Sequence, residues 1–133
     1  MATLERISYG STATGHTDNL LNMVTILAES ERNNARDGLT GALAAHEDRY
    51  IQVIEGSTQA LDGLLRRLAT DNRHRDIVIF GRSPVDRRIF GDWGMANARI
   101  TPALQGLLDG LMSQEAPSAE HTVALMLEAV AQV

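Results

Sequence analysis

Short stretches of the chain alternate apolar and polar residues, or are apolar throughout, which is typical of β-strands. The predicted strands are, in chain order, LERISYGS ending near Gly10 before a loop from Ser11 to Thr17, Leu39 to His46, Arg49 to Glu55, and Asp76 to Gly81. In the third strand, Ile51 and Val53 point to one face and Gln52 to the other. Tyr50 and Ile54 share the face of Gln52, so apolar residues on both sides predict a sheet that is covered on both faces.

Four further segments place apolar residues at helical spacing. Their apolar stripes are Leu20, Leu21, Val24, Leu27 and Ala28; Leu61, Leu64, Leu65 and Leu68; Leu104, Leu107, Leu108 and Leu111; and Val123, Met126, Leu127 and Val130. The first helix is predicted to end before Asn33, because Asn favours helix ends. Gly56 and Ser57 are predicted to break the third strand and to start the second helix. Pro102 suits the first turn of the third helix, and Ser118 can cap the fourth.

The order of these elements is β-α-β-β-α-β, followed by a short strand around Trp93 to Ala98 and by the last two helices. That order predicts an α+β fold: a ferredoxin-like βαββαβ sheet with an added fifth strand, two helices on one face, and two C-terminal helices. The opposite face needs a cover, which the appended helices, a second subunit or both could supply. We predict one domain over residues 1–98 and a C-terminal helical extension over residues 99–133.

Composition narrows the classes of function. The chain has 133 residues, a formal net charge of −5 and no Cys, and its basic residues are all Arg. An acidic surface repels phosphate backbones, so we expect no direct nucleic-acid partner. No apolar run approaches the roughly 20 residues that span a bilayer. No secretory signal precedes the first strand, so we expect a cytoplasmic protein with no membrane partner.

The sequence contains no complete catalytic or metal-binding motif. Gly10 to Thr17 has the spacing of a phosphate-binding loop, but His16 stands where that motif needs Lys, so an ordinary strand-to-helix loop is preferred. The four His residues lie apart from one another and from any carboxylate cluster, so we expect no metal. No nucleophile elbow is present either.

Gln52 and Tyr9 lie inside predicted strands among apolar neighbours. A buried primary amide has donors and an acceptor to satisfy, and each costs about 1–3 kcal/mol if it stays unpaired. Gln52 therefore either pairs with neighbouring side chains or water, which the residue alone slightly favours, or faces a bound polar ligand. Tyr9 by itself is most simply a core aromatic residue with a satisfied hydroxyl.

Five short motifs occur in order between Leu4 and Ala98. They are Tyr9 and Ser11 at the end of the first strand; Asn33 and Asn34 before Leu39-Thr40-Gly41; Gln52 before Glu55 and Gly56; Asp71, Arg73 and His74; and Trp93 and Met95. Each motif is weak alone, but the set in this order closely resembles the BLUF domain, a family of blue-light sensors that bind FAD.

The resemblance implies a non-covalently bound FAD whose isoalloxazine ring lies between the two central helices. The implied cofactor-binding residues are Asn33, Asn34, Gln52, Asp71, Arg73, His74 and Tyr9. Asn34 would bond the carbonyl and N3 edge of the ring, helped by its neighbour. Arg73 and His74 would reach the polar side of the flavin, with Asp71 fixing them. Ile79, expected to be buried, would provide part of an apolar flank.

The resemblance also implies a photoactive set, which comprises Tyr9, Gln52, Trp93, Met95 and Ser11. In the family, light drives an electron and a proton from the Tyr to the flavin and back, and the Gln is left rotated or tautomerised. A stronger hydrogen bond to the flavin C4 carbonyl then shifts the absorption to the red without net redox change. No substrate is turned over, so a sensor and not an enzyme is implied.

Output would pass through the last strand, where Trp93 and Met95 compete for a place near the Gln, and then through the C-terminal helices. The receiver would be an unknown protein partner or a homodimer or higher oligomer of this chain. One alternative is a ferredoxin-like ligand-binding or interaction module without photochemistry. A small acylphosphatase-type enzyme on the same topology is disfavoured, because the first loop lacks the clustered Arg and Asn that such a site needs.

Overall fold

The computed structural model of the chain describes residues 4–13, 32–46, 49–70, 74–90, 96–97, 102 and 119–131. Its strands are β1 (Leu4–Ala13), β2 (Thr40–His46), β3 (Arg49–Ser57), β4 (His74–Pro84) and β5 (Ala96–Asn97). Its helices are α1 (helical residues 32–37), α2 (Thr58–Thr70) and α3 (Ala119–Ala131). None of the helices in the described ranges is long and apolar enough to cross a membrane.

The strands form one sheet in the order β4-β1-β3-β2-β5. The first four of these pair antiparallel with their neighbours, and the two-residue β5 pairs parallel with β2. A four-stranded antiparallel sheet with helices confirms the predicted α+β class. The long strands β1 and β3 occupy the centre, so the residues that pair between these two strands have a neighbouring strand on each side.

Apolar side chains form one core on each face of the sheet. The core on the α2 face contains Ile7, Tyr9, Leu39, Ile54, Leu61 and Leu68. The core on the α3 face contains Ala42, Ala44, Ile51, Val53, Phe90 and Met126. Ile51 and Val53 therefore lie on one face of the sheet and Ile54 on the other, as the alternation along β3 predicts. The prediction of a sheet covered on both faces is confirmed, and α3 supplies at least part of the second cover.

Three strands are longer than their sequence pattern predicts. β1 runs through Ser11, which was predicted to open a loop, because Ser11 pairs with Tyr50 of β3. β3 likewise continues through Gly56 and Ser57, the predicted strand breakers, because both pair with the start of β1. β4 begins two residues earlier and ends three residues later than predicted, also along β1. Pairing satisfies the backbone groups of residues whose own propensity favours turns.

The start of α2 confirms one predicted role of Ser57. Its Oγ accepts a hydrogen bond from the backbone amide of Ala60 at 3.1 Å, which satisfies one of the free amides of the first turn. The predicted apolar stripe of this helix is also confirmed. Leu61 and Leu68 are buried in the α2-face core, and Leu64 and Leu65 pack against it.

The prediction that the first helix ends before Asn33 is wrong. α1 continues through Asn33 and Asn34 to residue 37. Gly38 follows with φ = 71°, a left-handed conformation that only Gly adopts without strain. Its amide donates to the Ala35 carbonyl at 3.5 Å, and the Leu39 amide donates to the Asn34 carbonyl at 2.8 Å. These two bonds form the Schellman motif, which stops a helix after the residues that the Asn pair would suggest.

Two residues are more exposed than predicted. Ile79, expected inside a buried strand, is 43% exposed, because β4 is an edge strand of the sheet. Leu127, expected in the apolar stripe of the last helix, is 36% exposed, whereas Val123 and Leu125 pack against the α3-face core with Met126. Residues 14–31 and 103–118 lie outside the described residues, and with them most of the predicted first helix and the predicted helix from Leu104 to Leu111.

Replacing Gly38 tests the end of α1. Gly38→Ala is expected to lower the free energy of unfolding by about 1 kcal/mol, because an L-residue is strained at this φ although no atom lies within 4 Å of the added Cβ. Gly63→Ala is the matched control inside α2. There the new Cβ would meet only the ends of two Arg side chains at 3.8 Å, so a gain of about 1 kcal/mol is expected. Urea denaturation measures both changes in the free energy of unfolding. A change of the same sign in both variants would contradict the left-handed conformation of Gly38.

Candidate functional site

The pairing of β3 with its two neighbours brings the predicted photoactive strand residues together. Gln52 lies directly opposite Tyr9 of β1 on one side and Leu43 of β2 on the other. Residues directly opposite each other in an antiparallel pair share a face of the sheet. Tyr9 belongs to the α2-face core, so Gln52 also points toward that face. Both side chains are enclosed, at 1% exposure for Tyr9 and 6% for Gln52.

The Tyr9 hydroxyl is a buried polar group at the centre of the sheet. Among the residues that the structure describes, none donates or accepts a hydrogen bond at this oxygen. Burial also raises the pKa of the phenol well above its usual value, since the anion would be poorly solvated. The phenol therefore stays protonated and has one donor to offer. A buried polar group left unpaired costs about 1–3 kcal/mol, so this oxygen marks a place where a polar ligand would be stabilising.

Ile79 is directly opposite Tyr9 on the edge strand β4 and exposes 43% of its surface. An exposed large apolar side chain on the residue opposite a buried tyrosine suits a molecule with a flat apolar body and a polar rim. An isoalloxazine ring has this character, because its faces are apolar and its edge carries carbonyl oxygens, N5 and one N–H group. These two residues therefore fit the flavin that the sequence motifs imply.

The Asn pair sits in the last turn of α1. Asn34 is buried and Asn33 is half-buried. The Asn34 backbone carbonyl accepts the helix-ending bond from Leu39, which fixes the backbone from which its side chain extends. α1 is held to α2 by an ion pair between Asp37 and Arg67 at 3.1 Å. The structure thus places a buried amide side chain at the end of one helix that is tied to the next.

Ser11 lies two residues beyond Tyr9 in β1 and is fully buried. Strand alternation places it on the same face as Tyr9. Asp71, Arg73, Trp93 and Met95 lie outside the described residues. His74 begins β4 opposite Ala13, but its side chain also lies outside the described part of the chain. The roles implied for these five residues stay predictions.

Glu55 is a buried charged residue to which the sequence analysis assigned no role beyond its place in a motif. Its Oε1 accepts hydrogen bonds from Thr40 Oγ1 at 3.2 Å and from the Phe90 amide at 3.1 Å. Its Oε2 accepts from Arg6 Nε at 3.0 Å and from the Ile89 amide at 2.8 Å. Buried charges are normally paired, so a Glu inside the apolar run IQVIEG was the available signal.

A family model described as sensors of blue light using FAD (BLUF) matches residues 4–96. The photoactivated adenylate cyclase subunit beta of Euglena longa is 32% identical to this chain over 91 residues. The match covers 62% of this chain but only 11% of that protein, so the chain spans a small part of the curated relatives that it matches.

Solved structures resemble the chain over nearly its whole length. BlrB, a BLUF protein in its dark state, matches with a TM-score of 0.76 and 29% identity, covering 99% of this chain and 98% of that chain. BlsA in its photo-activated state matches with a TM-score of 0.78 over 96% of this chain and 94% of that chain. Its identity of 20% shows a shared fold and no more.

Tyr9→Phe tests the unpaired hydroxyl through the pH dependence of stability. Because the pKa of Tyr9 is raised in the folded state, only the unfolded chain releases this proton once the pH passes about 10. The flavin-free chain should therefore lose about 1 kcal/mol between about pH 8 and about pH 11 through this group, and Tyr9→Phe should remove that loss. Urea denaturation at both pH values measures it.

The matched control is Tyr50→Phe, which removes a phenol oxygen from the same buried strand face. At about pH 8, Tyr9→Phe should cost no stability, since its oxygen has no partner among the described residues. A larger loss for Tyr9→Phe than for Tyr50→Phe at this pH would contradict the unpaired state.

Proposed function

The chain belongs to the BLUF family, the sensors of blue light using FAD, and we propose that it is a blue-light photoreceptor that binds FAD non-covalently through a domain over residues 1–98. The observation that carries the proposal is the buried Tyr9 hydroxyl, unpaired among the described residues and directly opposite Gln52. A phenol on the residue directly opposite a primary amide can pass its proton through that amide once the two groups come within hydrogen-bond distance. The exposed Ile79, opposite Tyr9 on β4, supports an apolar contact with the same ligand.

Bound FAD would supply the chromophore and, in light, the oxidant. Tyr9 would give up one electron and one proton and recover both, so that the cycle leaves no net redox change. Gln52 would accept a hydrogen bond at its carbonyl and donate from its amide nitrogen, and it would end rotated or tautomerised with these ends exchanged. Both residues are buried, which limits the competition of water for their hydrogen bonds.

The remaining binding roles complete this proposal. Asn34, with Asn33 as its helper, would bond the amide-like edge of the ring from the end of α1. Arg73 and His74 would reach the polar side of the cofactor, held by Asp71. The burial of Asn34 supports its role, because a primary amide in an enclosed position can match the amide-like edge of the ring without competition from bulk water.

Output would pass from the sheet to the C-terminal extension, residues 99–133. Trp93 and Met95 come directly before β5, whose described residues, Ala96 and Asn97, pair parallel with β2. A strand in this position can be shifted by a change of a few kcal/mol in the site. α3 packs on the opposite face of the sheet through Met126, so it can receive such a shift.

We further propose that the chain acts as a sensor and turns over no substrate. Its receiver would be a protein partner or a second copy of the chain. One matched structure is a bacterial light-regulated adenylyl cyclase, of which the match covers 40%.

The strand order β4-β1-β3-β2 supports a ferredoxin-like arrangement with β5 added. Two C-terminal helices would follow this sheet.

Gln52→Leu tests the relay. The purified chain should be yellow, and its flavin band should move to the red in blue light and return in darkness. Gln52→Leu should bind flavin but lose the shift, because Leu neither donates nor accepts hydrogen bonds. Gln59→Leu on the exposed surface of α2 is the matched control and should keep it. Absorption spectra recorded in light and in darkness measure both variants. A colourless wild-type chain would favour a ferredoxin-like binding module without photochemistry, and a red shift that persists in Gln52→Leu would contradict the relay.

Asn34→Ala tests the binding of the ring edge. Loss of an amide that pairs with the ring should raise the Kd for FAD about tenfold or more, equivalent to about 1.4 kcal/mol. Asn33→Ala, one residue away on the half-buried side, should have a smaller effect. Fluorescence titration of the flavin-free chain measures both, and urea denaturation checks that each variant is folded. Unchanged affinity in Asn34→Ala would refute this assignment.

A further inference from the structure

Glu55 lies on the strand that carries Gln52, three residues further along and on the opposite face. It is directly opposite Arg6 of β1 and Thr40 of β2. In the same way, Gln52 is directly opposite Tyr9 of β1 and Leu43 of β2. Two rungs of the same three strands therefore lie about 10 Å apart, one with a charged centre and one with the candidate site.

The carboxylate of Glu55 bonds to both neighbours on its rung. Arg6 donates from Nε at 3.0 Å and forms an ion pair through its NH2 group at 2.9 Å. Thr40 donates its hydroxyl on the other side at 3.2 Å. A slip of one residue in either strand pair would break these bonds and turn the facing side chains over. The bonds thus fix the register that places Tyr9 and Leu43 beside Gln52.

Arg88 extends this network to the end of α1. Its NH1 group donates to Thr40 Oγ1 at 2.8 Å and to the Glu55 backbone carbonyl at 3.0 Å. Its NH2 group donates to the carbonyl of Gly38 at 2.7 Å. Gly38 ends the helix whose last turn carries Asn34, so one network joins the strands of Tyr9 and Gln52 to the helix of Asn34.

We propose that Glu55 is the positioning residue of the photoactive site: its carboxylate, extended by Arg88, sets the distance at which Tyr9, Gln52 and the α1 terminus meet the chromophore. The inference rests on the proposed function and adds a residue on the far face of the sheet that touches neither ligand nor relay. Small displacements between the three strands change hydrogen-bond geometry steeply, so the network controls the rate of dark recovery.

Glu55→Gln weakens this network in a defined way. The new amide nitrogen would oppose donors at either oxygen position. At the Oε2 position it would face the Arg6 guanidinium and the Ile89 amide, and at the Oε1 position it would face the Phe90 amide and the Thr40 hydroxyl. The Thr40 hydroxyl can turn to accept, so the nitrogen should occupy the Oε1 position. The Phe90 amide then loses its acceptor while the Ile89 amide keeps its own.

The experiment compares Glu55→Gln with Glu5→Gln in the full flavin-bound chain. Glu5 lies on the rung next to Glu55 but on the opposite face of the sheet, where its carboxylate joins β1 to β4 through Arg82 at 2.9 Å, so it is a suitable control. In Glu55→Gln, hydrogen exchange at the Phe90 amide should become about tenfold faster or more. The rate of dark recovery should also change about tenfold or more. Glu5→Gln should change neither by more than about twofold.

Arg88→Gln is a second variant that tests the network even if Glu55→Gln fails to fold. Arg88 is exposed, so its replacement leaves the core intact while it removes the bonds to Gly38 and Thr40. It should change dark recovery in the same direction. Recovery at the wild-type rate in every folded network variant, or an equal effect in Glu5→Gln, would overturn the proposal even if Phe90 exchanges faster.

A failure of the proposed function would be distinguishable from a failure of this inference. If the wild-type chain shows no light-induced shift, the photoreceptor function falls. Positioning is then decided by the side-chain amide resonances of Gln52 in an NMR spectrum, which should move in Glu55→Gln and stay in place in Glu5→Gln. Unmoved Gln52 resonances would refute the role of Glu55.

Discussion

The double pairing of β3 is the constraint on which the described site depends. β3 lies between β1 and β2, so Gln52 is held between Tyr9 and Leu43 by backbone hydrogen bonds on both sides. Because side chains alternate faces, a slip of one residue in the register would turn Gln52 away from the α2 face. The backbone around Gln52 is therefore rigid, and a change in its side-chain hydrogen bonds is the least costly response to a chemical event beside it.

Glu55 and the Tyr9 hydroxyl are two buried polar groups of opposite kinds, on opposite faces of the sheet. On the α3 face, both oxygens of Glu55 accept hydrogen bonds from side chains and from the Ile89 and Phe90 amides. On the α2 face, the Tyr9 hydroxyl has no partner among the described residues. A satisfied buried network makes its surroundings rigid, whereas an unsatisfied group marks a place where the fold bears a cost in stability. Ser8 Oγ on the α3 face also has no partner among the described residues, so the contrast is between Glu55 and Tyr9 and not between whole faces.

Local patterns predicted the strands and their faces better than their ends. Alternation along β3 correctly separated Ile51 and Val53 from Gln52 and Ile54, since the period of a strand depends only on backbone geometry. The predicted ends failed where pairing with a distant strand satisfied turn-forming residues, as at Ser11 and Gly56. Ile79 was predicted to be buried because its neighbours are apolar, but burial depends on the position of β4 in the sheet, which no local pattern contains.

The sequence by itself determined the α+β class, the face of each β3 residue and, through motifs in a fixed order, the family and its cofactor. The tertiary structure alone decided which residues meet. The partners of Glu55 come from three separate parts of the chain, and those at Ile89 and Phe90 are backbone amides, which carry no side-chain signal. That the Tyr9 hydroxyl has no partner among the described residues is also a tertiary property, because an isolated Tyr has many possible partners and only packing removes them.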